Sequence, residues 1–153
     1  MRIIRFAAVL FCLSMQPHTA YAQLQLPREA VENVSRSVHD HMAGAMISND
    51  HIITEDEAKK LQYPLLPYDL REELIKLGSL SGMAQWCGLD WKKRNFFPLM
   101  AGLRSKKIYN DYQLAYAGML HGHMQSVLLK TQEGKICDDA IKANIDKNLT
   151  PIR

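Results

Sequence analysis

Long apolar runs are scarce in this sequence, and so are cysteines and the residue groupings that announce catalysis. Beyond residue 22, no segment keeps the roughly 20 apolar residues that a membrane-crossing helix needs. None alternates apolar and polar residues long enough to argue a strand. H-E-x-x-H is absent, which excludes the common zinc-hydrolase helix. Asp50, Glu55 and Glu57 lack the spacing and the central glycine of a calcium loop. The carboxylate pairs Glu72-Glu73 and Asp138-Asp139 are sequence neighbours, so on a helix they diverge and read as solvated charge. Ser126 lies near His123, but no nucleophile-elbow motif surrounds it.

There are only three cysteines, Cys12, Cys87 and Cys137. The first lies in a stretch with the features of a secretory leader. Arg2 and Arg5 precede the apolar run Phe6–Met15, and Ala20-Tyr21-Ala22 is an A-x-A cleavage site. The expected organisation is a signal peptide over 1–22 and one helical domain over 23–153, exported to a periplasmic or extracellular space. Bulky Phe11 before Cys12 argues against a lipid anchor. Loss of Arg2 and Arg5 lowers the formal charge from +3 to about +1, too small to demand an anionic partner. Two cysteines then remain in an oxidising compartment, which predicts a Cys87–Cys137 disulfide. Asn33-Val34-Ser35 and Asn148-Leu149-Thr150 match glycosylation acceptors.

Helical periodicity organises what is left. Ile108–Leu129 is apolar around most of its circumference, with Tyr109, Tyr112, Tyr116, Leu120 and Val127 on one stripe and Leu114, Ala117, Met124 and Leu128 on another. It predicts a central helix over about 107–130 with other helices packed about it. Arg28–Ile47 carries Val31, Val34, Val38 and Met42 at helical spacing. Thr54-x-x-Glu57 is a capping box before a short helix, Glu55–Gln62. Asp69-x-x-Glu72 suggests a second cap before a helix that carries Leu70, Leu74, Leu77, Leu80, Ala84 and Cys87 inward. Gly78 and Gly82 weaken that helix by about 1 kcal/mol each relative to alanine, and close approach of a neighbouring helix would be the return. Gly88 suits a helix C′ position and Asp90 the next N-cap. Trp86 and Trp91 beside Cys87 point to a packed junction. Phe96, Leu99, Met100 and Leu103 mark a helix over Trp91–Leu103, with Pro98 starting it late or kinking it. A last helix, Cys137–Leu149, would turn Ile136, Ala140, Ile141 and Ile145 inward. The fold class is all-α: a single compact domain of five to six helices around the central one, with one disulfide.

Two features suggest binding chemistry. His-x-His-Met occurs twice, at His39, His41 and Met42 and at His121, His123 and Met124. Imidazole and thioether suit copper. However, i and i+2 diverge by about 200° on a helix of 3.6 residues per turn, so His121 and His123 share one ion only if the helix breaks at Gly122. The bland alternative packs His123 on the Tyr116–Leu120 side and leaves His39 and His41 partly solvated. The second feature is a basic strip, Lys92, Lys93, Arg94, Arg104, Lys106 and Lys107, interleaved with Trp91, Phe96 and Phe97. It would meet an acidic protein, anionic lipid or another anionic envelope component; an exported chain is not expected to meet nucleic acid. The functional expectation is a non-catalytic binding or accessory protein using Trp91–Lys107, with no cofactor. The alternatives are a copper-type metal-binding protein and a helical hydrolase without a motif.

Overall fold

The computed structural model describes residues 26–48 and 51–149. The predicted leader and the helix-ending Asn49 and Asp50 lie outside the described residues. Val31, Ser35 and Val38 form the buried face of α1 (Arg28–Asp40). The helix stops seven residues earlier than its periodicity suggests. Met42 is still fully buried, so the apolar spacing outlasts the helix, and the chain turns at Gly44 in a positive-φ conformation. A short antiparallel hairpin follows, β1 (Met46–Ser48) and β2 (His51–Ile52). It corrects the expectation of no strand.

The capping box at Thr54 forms in both directions and starts α2 (Glu55–Ala58). The cap expected at Asp69 does not form. α3 (Tyr68–Trp86) starts from Pro67 with no side-chain cap, and Glu72 instead holds Lys76 and the Leu26 amide. Cys87 ends α3, Gly88 takes a positive φ, and Asp90 accepts from the Lys93 amide, as the sequence indicates. A π-helical segment (Lys92–Phe96) then runs into α4 (Phe97–Ser105). Proline has no N–H and its ring crowds the carbonyl four residues back. The wider turn ahead of Pro98 accommodates that, with the Phe97 amide reaching the Lys92 carbonyl.

The central helix is α5 (Asp111–Thr131). It starts later than expected because Asn110 caps it in a box with Gln113. It packs most extensively on α3 and also touches α1, α4 and β1. Tyr116, Ala117 and Leu120 are buried, and burial of a side chain such as Leu120 contributes about 2 kcal/mol. Val127 is exposed, so the far end of the helix is covered less than expected. Asp138 caps α6 (Asp139–Asn148), and Ile145 is buried. Ile136 and Ala140 do not face inward: Ile136 precedes the helix and is 86% exposed, and Ala140 faces solvent.

The core has two parts. The larger joins α1, α3, α4 and α5 around Val31, Leu74, Met100, Tyr116 and Leu120. The smaller gathers Ala84, Cys87, Ile145 and Leu149, with Trp86 and Trp91 against it. There Cys87 and Cys137 are joined in a disulfide, their Cα atoms 5.4 Å apart. Six helices, almost no strand and one disulfide make a compact all-helical fold among the described residues. No described helix is long and apolar enough to cross a membrane.

Candidate functional site

The close approach of α3 to α5 places a polar cluster between the two helices. Beta-carbons at Gly78 and Gly82 would lie within 3.0 Å of the carbonyl oxygens of His121 and Gln125. The two glycines therefore let α3 settle on the α5 backbone, the close approach that their cost in helix propensity implies. Between them Ser81, fully buried, lies 3.0 Å from Nε2 of His121. Asn95, from the π segment, donates to Ser81 Oγ at 2.8 Å and to the Leu77 carbonyl at 2.9 Å. Phe96 and Trp91 cover the imidazole at 4.9 and 6.0 Å between ring centroids. Nδ1 of His121 has no hydrogen-bond partner among the described residues. Burial holds the group neutral and lowers its pKa to about 4. A serine and a histidine in hydrogen-bonding reach are the raw material of a nucleophile. Both are 0% exposed, and the pair joins α3 to α5 as a buried clasp.

The His-x-His-Met elements do not assemble as sets. Helix α5 runs unbroken through Gly122, sending His121 inward and His123 to solvent. This reverses the expectation that His123 is the packed one. Met124 is half-buried beside the core. In the first element, Met42 is sealed in the core, and His39 Nε2 donates to the Leu61 carbonyl at 3.2 Å. His41 alone stays open. Its Nδ1 lies 2.7 Å from the Ser37 carbonyl. A carbonyl only accepts, so Nδ1 carries the proton and the lone pair is on Nε2.

His41 opens onto a groove of about 550 Å³ between the hairpin, α4 and α5. Such a volume is within the range of ligand sites, about 300–1,000 Å³. Met46 stands on the hairpin wall, Met100 on α4, and Met119 on α5. Gly118 makes part of the floor, and a β-carbon there would meet only the Met100 methyl, at 4.0 Å. Arg104 and Asp111 line the groove where α4 turns into α5. Sequence reasoning offers Met119 only as a partner for His123 on one helix face, and misses Met46 and Met100, because the three come from segments with no shared local pattern. Asn95 was also missed; its signal is a polar residue four positions before the buried Leu99, on the same helical face.

The basic strip divides. Arg94 is tied to the side chain and carbonyl of Asp146, and Trp91 is half-buried over His121. Both belong to the fold. Lys93 pairs with Asp90 at 3.5 Å, and Lys92 lies over the Trp91 ring. Arg104, Lys106 and Lys107 are exposed and make no ion pair among the described residues. Phe97 and Ile108, 55% and 71% exposed, stand among these charges. The strip thus leaves two basic ends about 20 Å apart along one helical arm.

In comparisons with known proteins, the chain matches no family model, no curated protein and no solved structure.

Proposed function

We propose that this is an exported, non-catalytic accessory protein that seats on an anionic membrane surface of the envelope through the outer face of the π segment and α4. The observation that carries the reading is the pairing of unneutralised charge with isolated apolar side chains. Lys92, Arg104, Lys106 and Lys107 have no carboxylate partner among the described residues, and Phe97 and Ile108 stand exposed between and beside them. A protein partner would call for a packed central hot spot. Two charge clusters spread over about 20 Å of helix, with single apolar anchors, suit a deformable surface read by charge. Each basic group near such a surface is worth about 1 kcal/mol. Insertion of Phe97 adds about 2 kcal/mol. Export, expected from Met1–Ala22, brings the chain to that surface.

Sedimentation with phosphatidylglycerol-containing and neutral phosphatidylcholine vesicles tests the proposal. Binding is expected only to the anionic vesicles, and it should fall with salt. Lys92→Glu with Lys93→Glu, or Lys106→Glu with Lys107→Glu, should weaken it by at least about tenfold. Phe97→Ser should weaken vesicle binding yet leave binding to soluble polyphosphate unchanged. Equal pelleting with neutral vesicles, or none with anionic ones, would overturn the membrane reading; the second outcome would turn attention to an acidic protein.

A further inference from the structure

The groove between the hairpin, α4 and α5 shares Arg104 with the basic face but gathers a different kind of donor. Three thioethers, Met46, Met100 and Met119, line it together with His41. His41 is prepared as a ligand. Its Nδ1 proton is held by the Ser37 carbonyl, which leaves the Nε2 lone pair uncommitted. A backbone carbonyl on the other ring nitrogen is the usual outer partner of a metal-bound histidine. All three thioether residues line the same groove. The Met100 methyl lies beside Gly118, Met119 follows it on α5, and Met46 projects from the facing strand, 66% exposed. With three rotatable side-chain bonds, methionine reaches a shared point more readily than a branched residue.

We propose that His41, Met46, Met100 and Met119 bind a single copper(I) ion. Soft thioethers select that ion over harder divalent cations, and imidazole completes a three- or four-donor set. No group of three or more His, Cys, Asp or Glu able to hold a metal occurs among the described residues, so the groove offers nothing comparable to zinc or calcium. Arg104 and Asp111 also line it. Arg104 lies a helical turn beyond Met100, and Asp111 lies two turns before Met119. The two opposite charges therefore sit at the end where α4 turns into α5, beside rather than within the donor set. The ion needs no electron transfer to bind, and its four donors are not among the membrane-seating residues, although Arg104 borders both.

The test uses the full chain with its disulfide intact and carbon-13-labelled methionine methyls. Silver(I), an air-stable stand-in, is titrated in by NMR, and copper(I) affinity is measured by competition with bicinchoninate. One equivalent of silver should move the Met46, Met100 and Met119 methyl signals and leave Met42, Met83 and Met124 in place. Zinc should move none of them. Met46→Leu, Met119→Leu and His41→Gln should each weaken copper(I) binding by at least about tenfold. A shift of Met46 alone would identify an isolated surface thioether and sink the proposal. So would shifts at Met42 or Met124, or unchanged affinity in the Met46→Leu/Met119→Leu double variant. The wild-type shift pattern decides the matter even if a variant misfolds.

Discussion

The carbonyl oxygen of His121 occupies the space that a β-carbon on Gly78 would need. Alanine at Gly78 must push two helix backbones apart, since no flexible side chain is there to yield. Overpacking of this kind costs about 3 kcal/mol, and urea unfolding of Gly78→Ala should show a midpoint lowered accordingly. Gly118→Ala is the internal contrast. Its new methyl would meet only the Met100 methyl at van der Waals distance, so helix propensity prevails and stability should rise by about 0.5–1 kcal/mol. Equal effects at both sites would contradict the packing described.

Acid should loosen the same interface before it reaches the carboxylates. His121 has a folded pKa of about 4 against an ordinary value of 6.5, because burial penalises its charged form. The unfolded chain takes up this proton first. The stability tied to neutral His121 is therefore complete above pH 6.5 and is lost as pH falls toward 4, by about 3 kcal/mol in all. His121→Gln should flatten the pH dependence of unfolding across that window. A wild-type protein equally stable at pH 6.5 and pH 4.5 would refute the assignment.

A second acid limb belongs to Glu32. Arg71, only 3% exposed, grips both carboxylate oxygens at 2.8 and 2.9 Å, and the Tyr63 hydroxyl donates to one of them. The bond from Arg71 first, then that from Tyr63, lowers the Glu32 pKa to about 2. Its contribution is present above pH 4.5 and is lost between 4.5 and 2, below most of the His121 window. Glu32→Gln leaves a buried guanidinium without its counter-charge and should cost about 3 kcal/mol at neutral pH. The pH profile of that variant should be shallower below 4.5, keeping only what other hydrogen-bonded carboxylates such as Glu57 contribute there.

Reduction of the disulfide should free one helix before the rest. The bond closes a span of 50 residues, worth about 4 kcal/mol on the chain-entropy model. Helix α6 packs on α3 and is otherwise held by this bond and by Arg94. In hydrogen exchange, α6 amides should lose protection on reduction while Tyr116 and Leu120 amides keep most of theirs. A uniform loss along the chain would show that the two apolar clusters open as one.

Interactions local in sequence were legible beforehand. The Thr54–Glu57 box, the turn at Gly88 and the Asp90 cap each depend on a few neighbouring residues and an intrinsic backbone preference, and the glycines of α3 showed by their helix cost alone that a distant partner must come close. The disulfide was legible because, with Cys12 assigned to the leader, only one pairing remained. Failures came where a local pattern met a tertiary competitor. Met42 continued the apolar spacing of α1 into a turn, Lys76 and the Leu26 amide claimed Glu72 from its capping role, and the hairpin strands were too short to show a two-residue period. In the second His-x-His pair both faces of the helix were apolar enough to receive a ring; what chose His121 was Ser81 and Asn95, 40 and 26 positions away. The groove had no signature because hairpin, α4 and α5 each supply only part of its lining.

The glycine contact also indicates what a distant relative of this chain would have to retain. Surface lysines and the exposed groove methionine Met46 can drift without disturbing the architecture, whereas Gly78 and Gly82 admit no larger residue while α3 rests on the α5 backbone. A motif of glycine, two variable residues, serine and glycine, joined to a downstream asparagine and a histidine in the partner helix, is therefore a more discriminating search key than overall resemblance.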